Sequence, residues 1–138
     1  MQKLVASLIF ATFIAFIDAD IQSTAIQGYI NCDGTPASFA KIELWDKDTF
    51  DPDDLMTNGT AGKAGNFYIQ GKESEVSTID PELRIYHKCG DENVKCFKVT
   101  IIEIPDEFIT KGANPKSIYD AGNVNLRILP NKESKICN

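Results

Sequence analysis

From about residue 20 to its end, the chain reads as short runs in which apolar and polar residues alternate, separated by clusters of Gly, Pro, Asn and Asp. A period of two puts successive side chains on opposite faces of a strand, so each run predicts a strand with one buried face. Ile26, Gly28, Ile30 and Cys32 share a face of the first strand, and Asp33-Gly34-Thr35-Pro36 reads as the turn after it. Ala40, Ile42 and Leu44 point inward in the second, with Lys41 and Glu43 opposite. A third is expected near Leu55–Thr60, and Phe67 and Ile69 mark one face of a fourth. Leu83, Ile85 and His87 alternate in the fifth. Phe97, Val99 and Ile101 follow, with a phase slip at Ile101-Ile102 that a β-bulge would absorb. Asp106–Lys111 reads as one helical turn capped by Asp106. The last strand has Val124, Leu126 and Ile128 inward. Seven strands and no long helix predict an all-β, two-sheet sandwich.

One segment breaks this pattern. Lys3 precedes an apolar run from Leu4 to Ile17, interrupted only by Ser7 and Thr12. Its length suits a secretory signal peptide and is short for a bilayer span. Residues 1–19 are therefore expected to be removed, with cleavage after Ala19, leaving 20–138 as one extracellular domain. That is enough chain to bury a core.

Export changes the reading of the four cysteines, which become two disulfides rather than a metal set. Three pairings are open. The short loop favours Cys89–Cys96, leaving Cys32–Cys137 to tie the first strand to the tail. The strand parities of Cys89 and Cys96 differ, so that pair would have to sit in an irregular hairpin end. A zinc site on His87, Cys89 and Cys96 lacks the paired CxxC spacing and is set aside; no metal and no cofactor is expected.

The net charge of −6 argues against nucleic acid as a partner. It is unevenly spread. Residues 20–83 hold four Lys against twelve acids, and residues 84–138 hold nine basic residues against seven acids. The densest feature is the loop carrying Asp46, Asp48, Asp51, Asp53 and Asp54. Its spacing is not that of an EF-hand, since Asp51 stands where Gly is needed and Thr57 where Glu is needed. The preferred reading is a solvated, turn-rich loop, which calcium-dependent melting would overturn.

Catalytic groups are sparse. His87 is the single histidine and lies in phase with Leu83 and Ile85, as a core residue would. No G-x-S-x-G, P-loop or G-x-G-x-x-G occurs, so the chain is not expected to be an enzyme. Asn58-Gly59-Thr60 is an N-glycosylation sequon, and Asn-Gly also reads as a turn. Trp45, Tyr68 and Tyr86 fall opposite the inward residues, either covered or forming an exposed aromatic patch.

Several motifs stand together in the chain. These are Gly28-x3-Cys32, Leu44-Trp45-Asp46-x-Asp48 with Asp53-Asp54, and Gly65-x-Phe67-x3-Gly71. The most specific is Ile79-Asp80-Pro81-x-Leu83-x-Ile85-Tyr86-His87-x-Cys89 followed by Cys96. With Ile104-Pro105, Tyr119-Asp120-x-Gly122 and Cys137, they resemble the nematode transthyretin-like family over essentially the whole mature chain. One departure is Ala61-Gly62, where the family usually has Thr-Asp. The resemblance implies a transthyretin-like (prealbumin-like) sandwich of seven or eight strands and an extracellular location. It does not imply hormone transport. The related hydroxyisourate hydrolases use several histidines, an arginine and a C-terminal Tyr-Arg-Gly-Ser, whereas this sequence has one histidine and ends Ser134-Lys135-Ile136-Cys137-Asn138.

The expected function is a secreted binding or adaptor module for an extracellular protein or cell-surface component. Its contact loops would be Asp46–Asp54 and Cys89–Cys96. Two alternatives are a carrier of a small apolar ligand and a peripheral module recognising anionic phospholipid headgroups. The second would use Lys111, Lys116, Lys132 and Lys135.

Overall fold

The computed structural model describes residues 19–137, with backbone only for 133–135. The expected signal peptide, all but its last residue, lies outside the described residues. The described residues form ten strands: β1 Asp20–Cys32, β2 Thr35–Pro36, β3 Lys41–Asp46, β4 Asp54–Thr60, β5 Asn66–Glu75, β6 Pro81–His87, β7 Cys96–Glu103, β8 Thr110–Lys111, β9 Tyr119–Asn125 and β10 Asn131–Cys137. One sheet has the order β10-β7-β6-β3-β4 and is antiparallel throughout. The other is built on β1, which pairs with β5 along one edge; β2, β8 and β9 also pair with it, β9 in parallel. This is the all-β sandwich that the alternation predicts.

The two inner faces interdigitate as the period of two requires. Ile26, Ile30, Phe67, Ile69 and Val124 come from the β1 sheet. Ile42, Leu44, Leu83 and Ile85 come from the other, with Ile104 just past the end of β7. Burying each large aliphatic side chain stabilises the fold by about 1.5–3 kcal/mol relative to leaving it in water.

The expected bulge at Ile101-Ile102 is absent, because β7 pairs with β6 without a break from Glu82↔Glu103 to His87↔Lys98. The core positions of β7 are Thr100 and Ile102, opposite Ile85 and Leu83. Phe97, Val99 and Ile101 therefore lie on the other face, contrary to expectation. The polar Thr100 disguised the true phase. It is buried because its hydroxyl bonds the His87 ring at 2.8 Å.

The expected helical turn is a 3-10 segment over Asp106–Phe108 without a side-chain cap, and Thr110–Lys111 is a strand instead. Ile128 lies past the end of β9 and is exposed rather than inward. Asn58-Gly59 is no turn; it lies within β4, opposite Glu43 and Ile42.

The disulfides are Cys32–Cys89 and Cys96–Cys137, which corrects the favoured pairing. Had the β6–β7 ladder continued two residues past His87↔Lys98, Cys89 would have faced Cys96. Instead the chain turns at Cys89-Gly90, where Gly90 takes φ +84°, and Cys89 enters the core against Cys32. Cys96 then meets Cys137 as its register partner on β10, a strand the alternation did not reveal. One bridge thus staples sheet to sheet, and the other fastens the last strand.

Candidate functional site

The acidic loop, residues 47–53, leaves β3 and enters β4 at one end of the sandwich. Its base is tied down. Lys47 N–H donates to the Asp80 carbonyl at 2.9 Å, and Asp80 N–H returns to Asp46 Oδ1 at 2.8 Å. Across the loop, Asp53 Oδ1 accepts from Asp48 N–H at 3.0 Å. Arg84 Nη2 donates to Asp53 Oδ2 at 2.6 Å and to Glu82 Oε1 at 3.2 Å. The guanidinium also lies 4.4 Å from the centre of the Trp45 ring, a cation–π stack. The Asp48 N–H and Arg84 together hold the Asp53 carboxyl below its ordinary range.

The five loop aspartates therefore divide. Asp53 serves the loop base and Asp51 is exposed. Asp46, Asp48 and Asp54 instead converge with Glu75, the last residue of β5 on the other sheet, with one oxygen of each within 4.8 Å of the others. Burial, then the neighbouring Asp46 and Asp48 charges, pushes Glu75 up to about 7. Burial and Asp46 push Asp48 up to about 6, and Asp46 is raised chiefly by its own burial. Glu75 was not anticipated. After Ile69 the strand continues as Gln-Gly-Lys-Glu-Ser-Glu, with no apolar residue to mark its faces, so the sequence carried no signal for it.

At the loop's outer turn stands Phe50, 98% exposed. A phenylalanine in water on a loop anchored at both ends is a ready contact. It too was missed, since one apolar residue among acids carries no periodicity.

The other expectations distribute as follows. His87 is buried. Its Nδ1 accepts from Cys89 N–H at 3.1 Å, so its proton sits on Nε2, facing the Thr100 hydroxyl. Burial, then Lys98, pushes it down to about 4. Both ring nitrogens are thus committed to holding the fold. In the Cys89–Cys96 segment, Lys98 Nζ spans to the Cys89 carbonyl at 3.1 Å and Asp91 at 3.3 Å. Lys111 and Lys116 are exposed near β8, while Lys132 is on β10 of the other sheet, so they share no element; the Lys135 side chain lies outside what is described. Asn58 is exposed. The three aromatics form no common patch: Tyr68 is exposed on β5, while Trp45 is partly buried and Tyr86 buried on the other sheet. A cleft of about 590 Å³ beside Cys32–Cys89 is lined by Phe39, Ala40, Phe97 and Leu126. Another, of about 810 Å³, is lined by Arg84, Ile101, Tyr119 and Lys132. Among the described residues no helix is long and apolar enough to cross a membrane.

Residues 27–105 match the model of the transthyretin-like family, more than half of the chain. Transthyretin-like protein 33 of Caenorhabditis elegans is 39% identical over 117 residues, covering 84% of this chain and 82% of the relative. Transthyretin-like protein 5 of the same organism is 39% identical over 127 residues, covering 91% of each. Among solved structures, an (S)-allantoin synthase aligns with a TM-score of 0.43 at 13% identity, over 86% of this chain and 46% of that one. At that score the likeness carries no argument about fold or chemistry.

Proposed function

The chain belongs to the transthyretin-like family, and on that premise we propose that it is a secreted, non-enzymatic binding module that engages an extracellular protein or cell-surface component through its acidic loop. The observation that carries this reading is Phe50, 98% exposed on a loop whose base is pinned by Arg84, Asp53 and Asp80. Pinning keeps the ordering cost of binding small, and burying an aromatic ring supplies contact area. Two disulfides suit an oxidising extracellular setting. The single histidine is occupied in structure, which supports a binding role over a catalytic one. The exposed Asn58, on an edge strand, is open to glycosylation.

The test is binding of labelled protein to dissociated nematode cells, and to phosphatidylcholine vesicles with and without phosphatidylserine. Full burial of Phe50 is worth about 1.5–3 kcal/mol. Phe50→Ala is therefore expected to weaken cell binding by about tenfold or more while leaving thermal stability unchanged. Unchanged cell binding by that variant would remove the loop from the interface. Binding confined to phosphatidylserine vesicles would replace the protein partner by a lipid headgroup. An apolar ligand displaced from the cleft beside Cys32–Cys89 would favour the carrier reading.

A further inference from the structure

We propose that Asp46, Asp48, Asp54 and Glu75 form a binding site for a hard divalent cation of the calcium class, joining the two sheets at the acidic end of the sandwich. The loop alone does not make this site. Asp46 ends β3 and Asp54 begins β4, directly opposite in the ladder. Asp48 stands in the loop between them, and Glu75 arrives from the other sheet, where it pairs with Asp20 at the start of β1. Four carboxylates from two sheets thus present oxygens to one point.

A second observation points to a missing ligand. Asp46 is 1% exposed, and while its Oδ1 accepts from Asp80 N–H, its buried Oδ2 has no hydrogen-bond partner. The Oδ2 of Asp48 is likewise buried and unpartnered. Buried carboxylate oxygens are ordinarily satisfied. No ion pair among the described residues reaches any of the four: Arg84 is spent on Asp53 and Glu82, and Lys41 on Glu43. The cluster therefore has negative charge, buried acceptors and no protein cation.

The spacing suits the ion. Oxygens sharing one calcium at about 2.3–2.6 Å lie no more than about 5 Å apart, and these lie within 4.8 Å of one another. Calcium's further positions would be taken by second carboxylate oxygens or water. The site is independent of the Phe50 reading, since it is defined by metal binding and not by any partner.

The experiment is calorimetric titration of the metal-free, oxidised full chain with CaCl2 and with MgCl2 at pH 7.5. Thermal melts at constant ionic strength accompany it. The expected result is one saturable calcium site with Kd of about 10⁻⁴–10⁻³ M, the range of extracellular modules. Calcium at about ten times Kd is expected to raise Tm by about 5 °C. Glu75→Gln should abolish both effects, whereas Asp51→Asn, outside the four, should preserve them. Glu75→Gln also relieves like-charge repulsion, so its metal-free Tm should equal or exceed that of the parent, which guards against misfolding as the cause. Absence of saturable calcium heat and of a Tm shift would overturn the proposal. So would equal loss in Asp51→Asn, which would mark diffuse charge screening.

Discussion

Removing the disulfides one at a time separates two roles that loop length alone does not. Cys32–Cys89 closes 57 residues and Cys96–Cys137 closes 41. On the chain-entropy model these are worth about 4.2 and about 3.9 kcal/mol at 25 °C, an insignificant difference. The folded state breaks the tie. Cys89 is 8% exposed, within the core cluster, and its bridge crosses from one sheet to the other. Replacing both partners by Ala leaves a gap among packed side chains and adds about 1 kcal/mol or more. Cys96–Cys137 instead fastens β10, the outermost strand of its sheet, which can detach locally without exposing the core. The Cys32→Ala/Cys89→Ala double variant is expected to lose about 5 kcal/mol. The Cys96→Ala/Cys137→Ala variant should lose at most about 4 kcal/mol. Against a total stability of about 5–15 kcal/mol the first brings the domain near collapse. Urea unfolding of each oxidised variant measures both losses. An equal loss, or a larger one for Cys96–Cys137, would refute the reasoning that Cys32–Cys89 is the structural staple.

Two further outcomes follow from the same geometry. Glu75 and Asp48, pushed up to about 7 and about 6, bind protons in the folded state that the unfolded chain releases, so they make the metal-free fold less stable as pH rises from about 4.5 to 7. His87, pushed down to about 4, works the other way: its contribution is full above its ordinary 6.5 and is lost as pH falls toward 4. Between pH 7 and 5 the two carboxyls outweigh the imidazole, so the parent's urea midpoint in EDTA should rise as pH falls, while that of Glu75→Gln, in which Asp48 and His87 nearly cancel, should change little; parallel slopes would show that Glu75 takes up no proton in this window. Gly65 has φ +77°, and a Cβ there would clash with the Ile30 carbonyl oxygen, so Gly65→Ala should cost more than about 2 kcal/mol. Gly34→Ala, at φ +91° in open space, should cost only about 1 kcal/mol by the same urea melts, and a similar cost at both would discount the clash.

The fold was legible where one face is purely apolar. Ile42-Leu44, Phe67-Ile69 and Leu83-Ile85 all occupy the faces their alternation assigns. It failed where a polar residue holds a core position. Thr100 and His87 satisfy each other across β6 and β7, so the strand read one residue out of phase and a bulge was inferred to repair it. β10 was invisible because its residues, Asn131–Cys137, are mostly polar on an edge strand, and without it the Cys96–Cys137 bridge had no geometry. The candidate site was half visible. The aspartates were obvious, but their sorting depended on Arg84 and Asp80, which only the sheet register brings alongside. Glu75 belongs to a strand of the opposite sheet, a relation that no local pattern encodes.

The claim that the acidic loop is the contact surface is tested most directly by photo-crosslinking. A benzophenone side chain placed at position 50, and in a separate protein at position 68, is irradiated on intact cells after binding. Tyr68 is the control, because it is exposed on β5 of the other sheet. The expected result is a discrete adduct from position 50 and none from position 68. An adduct from position 68 alone would place the contact on the β1–β5 sheet and contradict the reading.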